Sequence, residues 1–148
     1  MARIMFKSIL VVCTGNICRS PTGERLLRQH MPGIIVDSAG ICGLVGRPAD
    51  ARAQEIAALH GVSLEGHQAR KLNVQMMREY DLILAMEPGH LNHISTIAPE
   101  IRGKALLFGQ WMQMREIPDP YCKSHEAYEY VFGLLGRASQ KWALKLRQ

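Results

Sequence analysis

The sequence predicts an α/β fold: a single three-layer domain in which a parallel sheet is covered on both faces by helices. Two observations carry the prediction. Short apolar runs rich in β-branched residues recur along the chain, each too short to be a free-standing helix. Between them lie segments with helical periodicity and helix-start signals, and strands that alternate with helices pair in parallel across buried crossovers. A chain of 148 residues is long enough to bury a substantial core as one domain, without a disulfide or metal staple.

The elements follow in order. Ile9-Leu10-Val11-Val12 reads as a fully buried strand with Cys13 at its carboxyl end. Ser20 and Pro21 read as an N-cap and a first-turn proline, opening a helix that runs to about Met31 with Leu26 and Leu27 on its apolar face. Ile34 to Gly40 is a second strand, Asp50 caps a helix that ends near His60, and Asn73 to Tyr80 is a short helical segment. Asp81 to Met86 and Lys104 to Gly109 read as buried strands, separated by a helix from Pro88 to Ile97 that stops before Pro99. A final helix from Ser124 to about Leu146 places Ala127, Val131, Leu134, Leu135, Ala138, Trp142 and Leu146 on one face.

Composition narrows the classes of function. Hydrophobic content of 47% and charged content of 21% are those of a globular protein, with no low-complexity tract or repeat. A formal charge of +5 favours an acidic partner. The basic residues are dispersed and aromatics make up only 6%, so no nucleic-acid surface is expected. The apolar stretch near the N-terminus ends at a polar loop with no small-residue cleavage site, and no membrane insertion is expected; the reading is a cytoplasmic protein.

The chemistry concentrates in "VVCTGNICRSP". In an open α/β sheet the ligand crevice lies beyond the carboxyl ends of the strands, where Cys13 stands. A glycine-containing turn that feeds a helix can converge its N–H groups into an anion nest at the positive end of the helix dipole. Gly15 supplies backbone latitude and Asn16 tolerates a left-handed conformation. Thr14, Ile17 and Cys18 complete a phosphate-binding loop after the first strand, and the planar guanidinium of Arg19 can take two phosphoryl oxygens at once. The same dipole, amides and cation favour Cys13 as a thiolate, and an anionic nucleophile inside an anion hole points to attack on phosphorus. A phenolate is a poor leaving group, with an ordinary tyrosine pKa of about 10, so a general acid is required. Asp119 in "EIPDPYCKS" is the candidate, its loop restricted by Pro118 and Pro120.

"CTGNICRS" is a C-x5-R-[ST] signature, and with "SAG", "LEGHQARKL", "YDLILAM", "APE", "LFG" and "IPDPY" the whole chain resembles the low-molecular-weight protein tyrosine phosphatases. It looks closest to the bacterial branch encoded with exopolysaccharide machinery. The resemblance implies a four-stranded parallel sheet flanked by helices, no cofactor, and as substrate a membrane tyrosine autokinase with a phosphorylated tyrosine-rich tail. It makes Cys13 the nucleophile, Arg19 the phosphate and transition-state ligand, and Asp119 the acid and then the base. Ser20 matches the hydroxyl that hydrogen-bonds the departing thiolate, and Asn16, Ser38 and His67 match a polar network that holds the loop. Tyr121 matches an aromatic crevice wall, with Ile41 and Leu44 as the opposite rim. It further implies that oxidation joins Cys13 to Cys18. The sequence departs from many eukaryotic members in carrying Cys122 in place of a second tyrosine and no tryptophan between Ile41 and Arg47.

Duller readings stand beside these. A lone cysteine after an apolar strand is ordinarily a core residue, and an aspartate between prolines a turn former; the full spacing to Arg19 and Ser20 is what promotes them. His90 and His93 have H-x-x-H spacing without a third ligand, so no metal site is expected. A thiol-linked arsenate reductase would need two relay cysteines, and "YDLILAMEPGHLN" holds none; Cys42 and Cys122 have no spacing that recommends them. A non-catalytic phosphotyrosine-binding module would need neither nucleophile nor acid. Nothing in the sequence fixes the oligomeric state, with a monomer the expectation.

Overall fold

In the computed structural model, which describes residues 6–147, four strands form one parallel sheet in the order β2-β1-β3-β4. The strands are β1 (Ser8–Cys13), β2 (Ile35–Gly40), β3 (Leu82–Ala85) and β4 (Ala105–Leu107), and the helices are α1 (Arg19–His30), α2 (Ala51–Leu59), α3 (Val74–Arg78), α4 (Pro88–Ile97) and α5 (His125–Leu146). The start of the chain, on which the expectation of no leader partly rests, lies outside the described residues. Among the described residues no helix is long and apolar enough to cross a membrane.

Pleating sends alternate side chains of the sheet to two separate cores. Ile9 and Val11 of β1, with Leu82 and Leu84 of β3, join Leu27 of α1, Ile56 of α2 and Val131, Leu134, Leu135 and Trp142 of α5 on one face. Leu10 and Val12, with Ile83 and Ala85, meet Met77 of α3, Ile94 of α4 and Ile101 on the other. Because β1 pairs with β2 on one side and β3 on the other, the chain leaves its carboxyl end in opposite directions, and a crevice opens there.

Four expectations are corrected. Ser20 does not cap α1: the cap position is Cys18, which makes no side-chain bond there, and Ser20 is the second helical residue. Its hydroxyl is committed elsewhere, as described below. The fourth strand is three residues long, not six, because a 3-10 helix from Pro99 to Lys104 takes its start and β4 has a single neighbour at the sheet edge. On α5 it is Tyr128, not Ala127, that is buried at the N-terminal turn, donating its hydroxyl to Asp50 Oδ2 at 2.8 Å. Leu146 at the other end only packs against the core from a partly exposed position. Asp50, Asn73 and Ser124 do cap α2, α3 and α5, accepting from Ala53, Met76 and Ala127 N–H.

Candidate active site

Thr14 to Cys18 turn inside out as they link β1 to α1. Their carbonyls point outward and are taken by neighbouring segments: Cys42 N and Gly43 N donate to Thr14 O, Leu44 N to Gly15 O, and Asp50 N to Ile17 O. Among the described residues no protein acceptor takes the N–H groups of this stretch. Their convergence at an uncapped helix N-terminus makes an anion hole.

One residue carries the bend. Asn16 has φ 59°, while Gly15, the expected source of latitude, is not in the left-handed region. An asparagine survives there because its side-chain amide and its carbonyl are all answered. Its Nδ2 donates to Ser20 Oγ at 2.7 Å and Ser38 Oγ at 2.9 Å, its Oδ1 accepts from Arg70 N at 2.8 Å, and its carbonyl accepts from His67 Nε2 at 2.6 Å. Having accepted from Asn16, Ser20 Oγ can turn its own proton to Cys13 Sγ, 2.9 Å away. Ser38 likewise passes its proton to Glu24 Oε1 at 2.9 Å. Gly40 completes the support: a Cβ there would lie 2.6 Å from Thr14 O and 2.8 Å from Asn16 N, so only glycine lets β2 lie this close beneath the loop.

Arg19 is the first residue of α1 and is 2% exposed. Its Nη1 donates to Glu87 Oε2 and, at 2.8 Å, to the carbonyl of Ile117; Nη2 reaches Thr14 Oγ1 at 3.4 Å. The Ile117 contact also positions the acid candidate. Ile117 is fully buried, its N–H donates to Met86 O, and Asp119 follows two residues later with Oδ2 3.7 Å from Arg19 Nη2. Asp119 Oδ1 accepts from Tyr121 N–H at 3.1 Å, which closes the turn and leaves Tyr121 exposed over the crevice.

The crevice holds about 210 Å³ and brings together Cys13, Arg19 and Asp119 with Ile17, Leu44 and Tyr121 as its apolar walls. Cys18 lines it too, its thiol pushed well above the ordinary cysteine value by burial and by the neighbouring Cys13. Ile41 is not part of the rim. It packs under the sheet against the second core, and the exposed Cys42 stands in its place. The arrangement offers a sulfur nucleophile, a ring of amides with a guanidinium for a tetrahedral anion, and a carboxyl at the mouth.

Sequence reasoning missed three members. Glu87 lies two residues beyond β3, so the rule that singled out Cys13 at the end of β1 also points to it. Glu24 is one helical turn beyond Ser20 and thus on its face. His90, dismissed as half of a metal motif, is buried with Nε2 3.0 Å from Thr14 Oγ1; no local signal announces it.

Comparison with known proteins gives the family. The profile of the family described as "Low molecular weight phosphotyrosine protein phosphatase" matches residues 8–148. The chain is 64% identical over 146 residues to the low molecular weight protein-tyrosine-phosphatase Etp of Escherichia coli strain K12, covering 99% of each. It superposes with TM-score 0.95 and 54% identity on the crystal structure of the tyrosine phosphatase Wzb from Escherichia coli K30 in complex with sulphate, covering 96% of this chain and 99% of that one. Vibrio vulnificus Wzb in complex with benzylphosphonate matches with TM-score 0.93 and 50% identity, covering 95% and 99%. Since the matched span holds both the Cys13 loop and the Asp119 turn, this chain belongs to the low molecular weight phosphotyrosine protein phosphatases.

Proposed function

We propose that the chain hydrolyses phosphotyrosine on proteins through a cysteinyl-phosphate intermediate, with Cys13, Arg19 and Asp119 as its reacting and charge-stabilising groups. The observation that carries the reading is the meeting of a sulfur, a buried guanidinium and a carboxyl in one crevice with apolar walls. The sulfur attacks phosphorus, the bond from phosphorus to the phenolic oxygen breaks, and the proton of Asp119 goes to that oxygen. Arg19 and the loop amides hold the three equatorial oxygens as their charge redistributes. Asp119 then takes a proton from water as the water attacks phosphorus, and inorganic phosphate leaves with the thiolate restored. Ser20, donating to Cys13 Sγ, eases that departure. No step asks for a metal.

The apolar walls Ile17, Leu44 and Tyr121 suit an aromatic ring. As substrate we take a phosphotyrosine-bearing protein, specifically a membrane tyrosine autokinase of exopolysaccharide production, met by a cytoplasmic monomer. We take Cys18 as the thiol that joins Cys13 when peroxide converts the nucleophile to a sulfenic acid, releasing water and sparing it further oxidation. Mass spectrometry after mild peroxide should find the Cys13–Cys18 pair; sulfinic acid on Cys13 with Cys18 free would overturn it.

The deciding experiment measures phosphate released from phosphotyrosine and phosphoserine peptides in excess chelator, for wild type and Cys13→Ser, with arsenate reduction run alongside. Tyrosine-selective release lost in the variant is expected. Release that survives in Cys13→Ser would remove the nucleophile, and arsenate consumption with a thiol donor but no phosphate release would transfer the site to reductase chemistry.

A further inference from the structure

His90 is the third residue of α4, is 6% exposed, and meets the loop at Thr14, outside Asn16's network. Its Nε2 lies 3.0 Å from Thr14 Oγ1 and 4.0 Å from Glu87 Oε2, and its Nδ1 is buried without any partner among the described residues. Burial, reinforced by the Arg19 guanidinium, holds the ring below the ordinary imidazole range, so at neutral pH one nitrogen carries the proton. An orphaned buried N–H costs more than an unused lone pair. The proton therefore belongs on Nε2, where Thr14 Oγ1 accepts it and the Glu87 carboxylate lies close.

Thr14 Oγ1 then accepts twice, from His90 Nε2 at 3.0 Å and from Arg19 Nη2 at 3.4 Å. A hydroxyl has two lone pairs and one proton, so its remaining capacity is to donate. Thr14 follows Cys13 directly, is exposed, and lines the crevice. We propose that His90 is a positioning residue: it saturates the Thr14 hydroxyl as an acceptor, so that Thr14 donates its proton to an oxygen of the phosphoryl group held above Cys13. The proposal rests on the phosphatase reading for its consequence in turnover. Its geometry concerns any phosphate in the loop.

The test is a double-mutant cycle of His90→Leu and Thr14→Val, with His90→Gln as the conservative variant, since a glutamine amide can donate from about the place of Nε2. Each of these proteins is measured for kcat/KM on a phosphotyrosine peptide, for the affinity of inorganic phosphate by titration, and for thermal unfolding. Thr14→Val should lower kcat/KM by about tenfold or more, as expected for loss of a hydrogen bond to a charged group. His90→Leu should lower it about tenfold with Thr14 present and less than about twofold in the Thr14→Val background, with most of the loss recovered in His90→Gln. Phosphate affinity should show the same coupling. Equal losses from His90→Leu in both backgrounds would make His90 a packing residue and overturn the proposal, as would no loss at all. Were wild type inactive on phosphotyrosine while phosphate affinity still showed the coupling, the phosphatase reading would fall and the His90–Thr14 assignment would stand.

Discussion

At the floor of the crevice Asn16 makes four hydrogen bonds to groups from α1, β2 and the segment that holds His67 and Arg70, and none of its surface reaches solvent. At the mouth Asp119 has a half-exposed side chain held by one N–H of its own turn and a guanidinium 3.7 Å away. Floor and mouth thus differ in how completely their geometry is determined. The floor must present amides to a tetrahedral anion whose shape never varies, so it is fixed by many weak bonds that each leave little freedom. On the proposed mechanism the mouth admits a protein segment and lets a proton travel out and back, and it is tethered through Ile117 and the two prolines, with its side chains free in solvent.

Substitutions can break this contrast or sharpen it. The largest effect is expected from Asp119→Ala, which should slow a phosphotyrosine peptide by about 10²–10⁴-fold and an aryl phosphate with an activated leaving group far less. Equal losses on the two substrates in steady-state kinetics would take Asp119 out of the acid role and make the mouth part of the fixed floor. Next comes Asn16→Ala, which removes the side-chain bonds and puts alanine at a left-handed φ; unfolding should become easier by about 2–4 kcal/mol. Asn16→Gly, which keeps the backbone allowed, should recover only the conformational part. Urea titration of both separates network from strain, and equal stability of alanine and glycine variants would deny the bend any cost.

Tyr121→Ala tests the mouth more gently. It should raise KM for a phosphotyrosine peptide by about tenfold through lost ring contact and leave inhibition by inorganic phosphate unchanged, because phosphate touches only the floor. A matching loss of phosphate inhibition would show that the two regions are mechanically one. The smallest effect is a pH dependence of stability. Arg19 and His93 disfavour a charged His90, and Glu87 and Asp119 favour it, with burial the dominant influence. His90 is therefore harder to protonate in the fold than in the unfolded chain. Above the ordinary imidazole value of about 6.5 it contributes nothing to the pH dependence, and as pH falls below it the unfolded state takes up the proton first and stability is lost. Urea midpoints between pH 7 and pH 5 should fall more for wild type than for His90→Gln; parallel curves would place the acid-sensitive group elsewhere.

The same contrast accounts for what was legible in the sequence. The order of elements could be read because buried parallel strands write themselves as continuous apolar runs, and the caps at Asp50, Asn73 and Ser124 are local hydrogen bonds of a few residues' span. Ser20 shows the limit of such local reading: a serine there suits a cap, but Asn16 and Cys13 of the preceding loop claim the hydroxyl. Ile41 misleads in a different way, since one residue's shift in a loop exchanges a core side chain for a rim side chain. His90 remained hidden because it acts on the loop across a sequence distance that only the sheet order brings together, whereas Glu24 and Glu87 carry local signals that do not name the partners they meet.

The bond from Arg19 to the Ile117 carbonyl has a practical consequence for anyone building a substrate trap from this protein. On the proposed mechanism one guanidinium would both grip the phosphoryl group and hold the tether of the acid, so the two properties could not be tuned apart at position 19. An Arg19→Ala protein would lose the bait and slacken the jaw together. A trap that binds its phosphoprotein and keeps it should be cut at Cys13 or Asp119, where capture and release are governed by different atoms.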